Sequence, residues 1–211
     1  KRDLVVLRYD GTAWKLDATI TGRNLYGLYG VDRNNLWAVG ESGALYKGNG
    51  TAGSGGWSQI STLNLIDLYS AWGSSTSNVW AVGALSIVMR STGGGWAKES
   101  GGLSTNHLFG VWGTDANNFW SFGTNGLFRK WGGSSWVSSS VGTSNTLIAM
   151  TGSDINHMWL VGDAGTIVYY DGTSWMGQSS GTSASLKGIA LVGSTDVWAV
   201  GDLGTILHRF R

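Results

Sequence analysis

The chain of 211 residues holds 35 Gly and 13 Trp but neither Pro nor Cys, and its formal net charge at pH 7 is +1. Gly far above its usual ~7% share, with no G-X-Y period and no Pro, excludes collagen and proline-rich disorder, and the absence of Cys excludes a disulfide framework, zinc ribbons and thiol catalysis. Hydrophobic residues make up 42% and charged residues only 13%, so a core is available, solubility rests on Ser, Thr, Asn and exposed backbone, and no field steers the chain onto nucleic acid or anionic lipid.

Val5-Val6-Leu7-Arg8-Tyr9 reads as a strand, and after Asp10-Gly11-Thr12-Ala13 a second runs from Trp14 to Ile20. One phrase then recurs five times: Trp37-Ala38-Val39-Gly40, Trp80-Ala81-Val82-Gly83, Trp120-Ser121-Phe122-Gly123, Trp159-Leu160-Val161-Gly162 and Trp198-Ala199-Val200-Gly201. The Trp spacings are 43, 40, 39 and 39; a Leu stands twelve residues before each, and a second Trp follows the first four by sixteen to twenty. Landmarks in fixed register identify an internal repeat of about 40 residues. The short apolar runs lie between Gly, Ser, Asn and Asp, and none sustains a helical period. The unit therefore reads as four strands, A to D, which in the third copy are Leu108 to Trp112, Asn118 to Phe122, Gly126 to Lys130 and Trp136 to Ser140.

The turns fit this division. Between B and C, Gly40-Glu41-Ser42-Gly43 and its equivalents end on a Gly able to take positive φ; the second copy has Ser86 there, so its hairpin is expected to differ. Between A and B lie Asp32-Arg33-Asn34-Asn35, Asp115-Ala116-Asn117-Asn118 and Asp154-Ile155-Asn156-His157, where Asx side chains bond the turn backbone. Such units around an axis make a β-propeller. Small residues two positions after the A-strand Leu (Gly27, Ser70, Gly110, Ala149, Gly188) suit crowding at that axis. A linear β-solenoid is the alternative, although its usual repeat is shorter. The expectation is all-β: one domain over residues 1–211, a five-bladed propeller with four antiparallel strands per blade. The last repeat stops at strand C, Ile206 to Phe210, and Asp10-Gly11-Thr12-Ala13-Trp14 matches Asp171-Gly172-Thr173-Ser174-Trp175. Trp14 to Ile20 is therefore expected to close the ring as the outer strand of the last blade. That leaves one strand over, residues 4–9, which resembles another strand C and either displaces or flanks the C-terminal strand or marks a segment cut from a longer array. A start at Lys1-Arg2-Asp3, without Met or a signal-type apolar stretch, reads the same way.

The phrase Val197-Trp198-Ala199-Val200-Gly201-Asp202-Leu203-Gly204-Thr205-Ile206-Leu207-His208 resembles the repeats of bacterial propellers of the BNR or Asp-box superfamily, among them the photosystem II assembly-factor type and the tandem W-A-V-G arrays of secreted bacterial proteins. The likeness implies the fold and an extracytoplasmic or secreted setting far more than an activity. The Asp-box is only partly matched: Tyr169-Tyr170-Asp171-Gly172-Thr173-Ser174-Trp175 lacks the leading Ser. In the family that box is a turn, so it does not imply a sialidase.

No chemistry stands out. The eleven Asp and two Glu mostly fall in turns. His107, His157 and His208 fall in different structural contexts without metal-ligand spacing, and no nucleophile elbow, P-loop or dinucleotide fingerprint occurs. The chain is expected to be no enzyme, with no cofactor, no metal, no nucleic-acid partner and no membrane insertion, since no stretch approaches ~18 apolar residues. The D–A and B–C loops of a propeller share one face. There, Asn24, Glu41, Asp67, His107, Asn125, Asn145, Asp163 and Asp202 stand near Tyr26, Tyr69 and Phe109. Amides, carboxylates and hydroxyls beside aromatic rings suit a sugar, so the first expectation is a lectin-like module binding a glycan or cell-surface carbohydrate. The second is a scaffold or assembly module for another protein, and a glycoside hydrolase ranks last.

Overall fold

A computed structural model describes residues 3–51, 56–62, 64–99, 104–193 and 195–209. The chain divides into two compact units, residues 1–102 and 103–211. Among the described residues there is no α-helix, and the strands form six antiparallel sheets.

In the first unit, β1 (Asp3–Tyr9) pairs with β2 (Trp14–Thr21); β3 (Leu25–Asp32), β4 (Asn35–Gly40), β5 (Leu45–Gly48) and β6 (Trp57–Gln59) form a second sheet in chain order; and β7 (Leu68–Ser75), β8 (Asn78–Gly83), β9 (Val88–Ser91) and β10 (Trp96–Lys98) form a third. In the second unit, β11 (Leu108–Gly113), β12 (Phe119–Gly123), β13 (Phe128–Trp131) and β14 (Trp136–Ser138) form one sheet. It is followed by β15 (Leu147–Asp154), β16 (His157–Gly162), β17 (Ile167–Tyr170) and β18 (Trp175–Gln178), then by β19 (Leu186–Val192), β20 (Asp196–Gly201) and β21 (Ile206–Arg209). Each repeat thus yields the meander its alternation demands, with strand C starting about two residues later than expected because the B–C turn occupies Thr124–Gly126. Phe210 lies outside the described residues.

The expected ring-closing role of Trp14 to Ile20 is not what the pairing gives. β2 lies against β1 in a register running from Asp3↔Thr21 to Tyr9↔Trp14, so the strand left over in the sequence is its partner, and the β19–β21 sheet has three strands. The short loop explains the preference: the Asp10 carboxylate accepts the Thr12 and Ala13 N–H groups at 2.9 Å each, making the hairpin a cheap local closure. A bulge after Val6 leaves both Asp17 and Ala18 buried. There Asp17 accepts the Trp57 indole N–H at 2.8 Å and pairs with the Arg8 guanidinium at 3.3 Å, while Val6 and Ile20 pack with Ala38 and Tyr46. The hairpin is thereby fixed to the β3–β6 sheet.

One backbone device recurs in all five repeats. The residue before strand A offers its carbonyl to the N–H just after the repeat Gly: Glu41 to Asn24 (2.8 Å), Ala84 to Asp67 (3.0 Å), Thr124 to His107 (3.0 Å), Asp163 to Thr146 (2.9 Å) and Asp202 to Ser185 (2.9 Å). The repeat Gly has extended φ, which any residue could adopt; its lack of a side chain is what matters. A Cβ at Gly123 would stand 1.8 Å from the His107 oxygen, and one at Gly162 1.9 Å from that of Thr146. The next residues form a hairpin with two consecutive left-handed positions, such as Asn125 (φ 57) and Gly126 (φ 66). The second copy keeps this conformation without Gly, at Leu85 (φ 53) and Ser86 (φ 58), so its hairpin does not differ as expected.

Strand A carries a bulge just after its Leu in every repeat, with register shifts at Leu25/Gly27, Leu68/Ser70, Leu108/Gly110, Leu147/Ala149 and Leu186/Gly188. Gly27 shows why the next position is small: a Cβ there would meet the Tyr69 carbonyl oxygen of the following sheet at 2.7 Å. Cores lie between successive sheets. In the first unit Val39 and Leu45 pack with Leu68, Ala81 and Met89; in the second, Trp120, Phe122 and Phe128 pack with Met150, Leu160 and Val168, and the edge of Trp175 meets Phe128 at 5.1 Å. Burial of an aromatic ring in this way contributes about 2–3 kcal/mol.

Two predictions follow the steric argument. Gly123→Ala should lower stability by about 3 kcal/mol, read from the urea midpoint, whereas Gly177→Ala, where nothing lies within 4 Å of the added carbon, should leave it unchanged. Leu203 is left-handed (φ 59) and 97% exposed, so Leu203→Asn should raise stability by about 0.5–1 kcal/mol; a lower melting temperature would contradict this.

Candidate functional site

The loop end of each sheet, where B–C hairpins meet the loops entering strand A, is where the sugar-type residues were expected. In the first unit the Asn24 N–H donates to the Glu41 carboxylate at 3.0 Å, the Ser42 N–H donates to Asp67 at 2.7 Å, and Arg23 donates to the Ser42 carbonyl at 2.6 Å. Glu41 thus caps the loop of its own sheet, and Asp67 ties the next loop to the preceding hairpin. Tyr26 and Tyr69 stand beside them, tilted, with centroids 5.8 Å apart.

In the second unit the pattern repeats with other chemistry. The His107 N–H donates to the Thr124 hydroxyl at 2.9 Å, and its ring stacks on Phe109 at 6.4 Å. Asn125 donates to the Asn106 amide oxygen at 2.8 Å, and Asn145 to the Thr166 hydroxyl at 2.9 Å. Asp163 and Asp202 flank one cation: the Lys187 ammonium lies 3.6 Å from each carboxylate. Partial burial pushes the Asp163 carboxyl upward, but hydrogen bonds from Ser185 and Thr146, with Lys187, outweigh it and hold the group below its ordinary value. The structure therefore brings Asp163 and Asp202 together across adjacent sheets. Lys187 is the member the sequence did not single out: it occupies the strand A bulge, which alternation alone does not reveal.

A shallow depression of about 590 Å³ lies at this end, lined by Thr143, Thr166, Gln178, Ser180 and Thr182. It offers hydroxyls but no aromatic ring. The opposite end of the second unit differs. There a groove of about 690 Å³ runs between the A–B turns and the Gly132–Gly133 turn, with Trp120, Trp131, Tyr170 and Trp175 as its floor. Val137 and Ile155, 57% and 42% exposed, stand at its rim with Lys130, Asn117 and Asn156. Lys130 sits 5.4 Å from the Trp120 ring. The groove escaped the sequence because its walls come from two repeats, and the same Trp ladder also reads as core.

The turn carboxylates at this end have structural work. Asp115 is held below its ordinary value by the Asn118 amide and the Asn117 N–H, and Asp154 by His157, whose Nδ1 lies 3.0 Å away, and the Asn156 N–H. In the first unit Lys15 and the Ala13 and Thr12 N–H groups lower Asp10 to about 2. His208 pairs with Asp196 and stacks on Trp198 at 3.8 Å. The A–B Asp residues are therefore turn elements, as their spacing suggested.

Lys187→Met should move the Asp163 titration upward, toward the ordinary carboxylate range, in a carboxyl-detected NMR titration. Since the folded value lies below the unfolded one, Asp163 contributes stability that is present above the unfolded pKa and lost as pH falls through the folded pKa; the substitution should narrow that window. An unmoved midpoint would assign the shift to Ser185 and Thr146 alone.

No protein-family model matches the chain, and no curated protein sequence matches it. Among solved structures the chain is similar to the WD40 β-propeller domain of Doa1, with a TM-score of 0.73 at 14% identity over 93% of this chain and 69% of that one. It is also similar to YCF48 from Cyanidioschyzon merolae, with a TM-score of 0.72 at 17% identity over 98% of this chain and 76% of that one. At these identities the likeness is one of fold, and that fold is of the β-propeller type.

Proposed function

We propose that the protein is a non-enzymatic interaction scaffold whose partner is another protein, and that the aromatic groove of the second unit receives an apolar segment of it. The groove carries this reading. Over a floor of buried Trp120 and Trp131, the half-buried Tyr170 and Trp175 and the exposed rim of Val137 and Ile155 present apolar surface, while Lys130, Asn117 and Asn156 supply a few polar groups at the edge. An apolar centre with a sparse polar rim is the composition of a protein-binding site. Low charge elsewhere removes competition from electrostatic binding.

The lectin reading has less in its favour. Glu41, Asp67, Asn125, Asn145, Asp163 and Asp202 are engaged with neighbouring loops, and a sugar would have to displace those bonds. The depression at that end also lacks the ring a sugar's C–H face stacks on. Catalysis finds little support in carboxylates committed to turns.

The test is selection of a displayed random linear-peptide library against the protein, beside a glycan array. Peptides rich in aromatic and aliphatic residues are expected. Their binding should shift Trp fluorescence and weaken by about tenfold or more, ~1.4 kcal/mol, in a Val137→Glu, Ile155→Glu variant. A saccharide hit with no peptide selected would reverse the reading.

A further inference from the structure

A cation stands over the repeat Trp in each of the first three repeats. Strand pairing sets Lys47 opposite Trp37, Arg90 opposite Trp80 and Lys130 opposite Trp120, and the charged groups lie 5.8, 4.7 and 5.4 Å from the ring centroids. The ring face attracts the charge while the aliphatic stem lies along apolar surface. The third copy borders the groove, where Lys130 is the only charged side chain among the described residues of the lining. Among the described residues no carboxylate pairs with it, and the side-chain amides of Asn117 and Asn156, which share the lining, are not hydrogen-bonded.

The second repeat shows what answers such a cation. Two backbone bonds fix the correspondence: the Glu99 N–H donates to the Val88 carbonyl at 2.9 Å, and the Ser139 N–H to that of Phe128 at 3.0 Å. Val88 and Phe128 hold the same place, two residues before Arg90 and Lys130. Glu99 and Ser139 are therefore one position of the repeat, on the same face as the cation and diagonal to it across the strand pair. Glu99 sets its carboxylate 3.4 Å from Arg90. Ser139 brings no charge and lines the groove, so the place that the second repeat fills with its own carboxylate is open beside Lys130. The walls, residues 117–175, come from the four-stranded sheets β11–β14 and β15–β18 within one unit.

We infer that the segment received by the groove is acidic as well as apolar: an Asp or Glu carboxylate of the partner takes beside Lys130 the place that Glu99 holds beside Arg90, next to an aromatic or aliphatic residue seated between Val137 and Ile155. The inference rests on the groove reading above and adds the chemistry of the partner. Val137 lies directly opposite Lys130, so the charge and the apolar rim are one strand spacing apart, about 5 Å. At roughly 3.3 Å per residue of an extended segment, the acidic residue falls within two positions of the apolar one. The Asn117 and Asn156 amides supply further donors. A neutral segment closing over the groove would leave the ammonium desolvated and unpaired, a cost that a carboxylate removes. A nucleic acid would need several cations, and Lys130 is alone in this lining.

Peptides selected from the linear library that lose binding in the Val137→Glu, Ile155→Glu variant supply the test. Each is made again with its Asp or Glu changed to Asn or Gln, and both forms are titrated against the protein. The acidic form should bind about fivefold or more tightly, and the advantage should shrink as salt rises. It should vanish in Lys130→Met, which keeps an aliphatic stem over Trp120. Ser139→Glu should abolish it too, by supplying the second repeat's carboxylate from within the chain, whereas Ser139→Gln, of the same size without the charge, should keep it. Lys130 and Ser139 are both exposed, and near-UV circular dichroism verifies folding. Groove-directed peptides that lack an acidic residue, or an acidic advantage that survives Lys130→Met and Ser139→Glu, would overturn the inference and leave the scaffold reading standing. A library that yields no groove-directed peptide would overturn both.

Discussion

The fold depends on a backbone contact that leaves no room for a side chain. In every repeat the carbonyl preceding strand A crosses the end of strand B and accepts the N–H that follows the repeat Gly. Only Gly lets the chains come that close. Because the contact uses backbone alone, the residue supplying the carbonyl is unconstrained in type: it is Asn24, Asp67, His107, Thr146 and Ser185 in turn. The loop end can therefore vary its chemistry without loosening the sheet, and here much of that chemistry has been turned inward to brace the loops.

Sheet-to-sheet packing is the second constraint, and it gives each face two possible fates. A face made of the repeat Trp, the residue two beyond it and the first residues of strand C is core when another sheet follows. It is surface when none covers it. Trp120 and Trp198 thus have one sequence context and two physical roles, differing in what lies against them. The same holds for Trp175, which meets Phe128, and Trp14, which meets solvent.

Much of the fold was legible because its signals are local. The A-strand Leu, the repeat Trp and Gly, the Asx turns and the Trp opening strand D all occupy the elements their spacing assigns. What was not legible depends on partners distant in sequence. The match of Trp14 to Trp175 marks β2 as a strand, but a strand's edge does not name its neighbour, and the Asp10 turn favours β1. The bulge after each A-strand Leu is likewise invisible to an alternation argument, so nothing local marks Lys187 as the cation between Asp163 and Asp202. For the candidate ligand residues proximity was legible and bonding partners were not: Asn125 and Asn145 lie in the expected loops, but their amides are bonded to Asn106 and Thr166.

The second repeat shows how firmly the backbone contact governs local conformation. Leu85 and Ser86 both adopt left-handed φ, where a non-Gly residue loses about 1–2 kcal/mol. Against that stand the Ala84 bond to Asp67 and the hairpin bonds of Gly83 and Ile87, at 3.0, 3.1 and 2.9 Å, each contributing about 1 kcal/mol net, with the apolar burial of Val82 and Ile87 added. The sum favours the turn without Gly. Local propensity is therefore overridden wherever the loop crossing and the sheet behind it are intact, and Gly at this position lowers a cost but does not create the hairpin. The repeat is defined by the crossing and the packed face, which is why the chain departs from its own consensus at Ser86 and keeps its geometry.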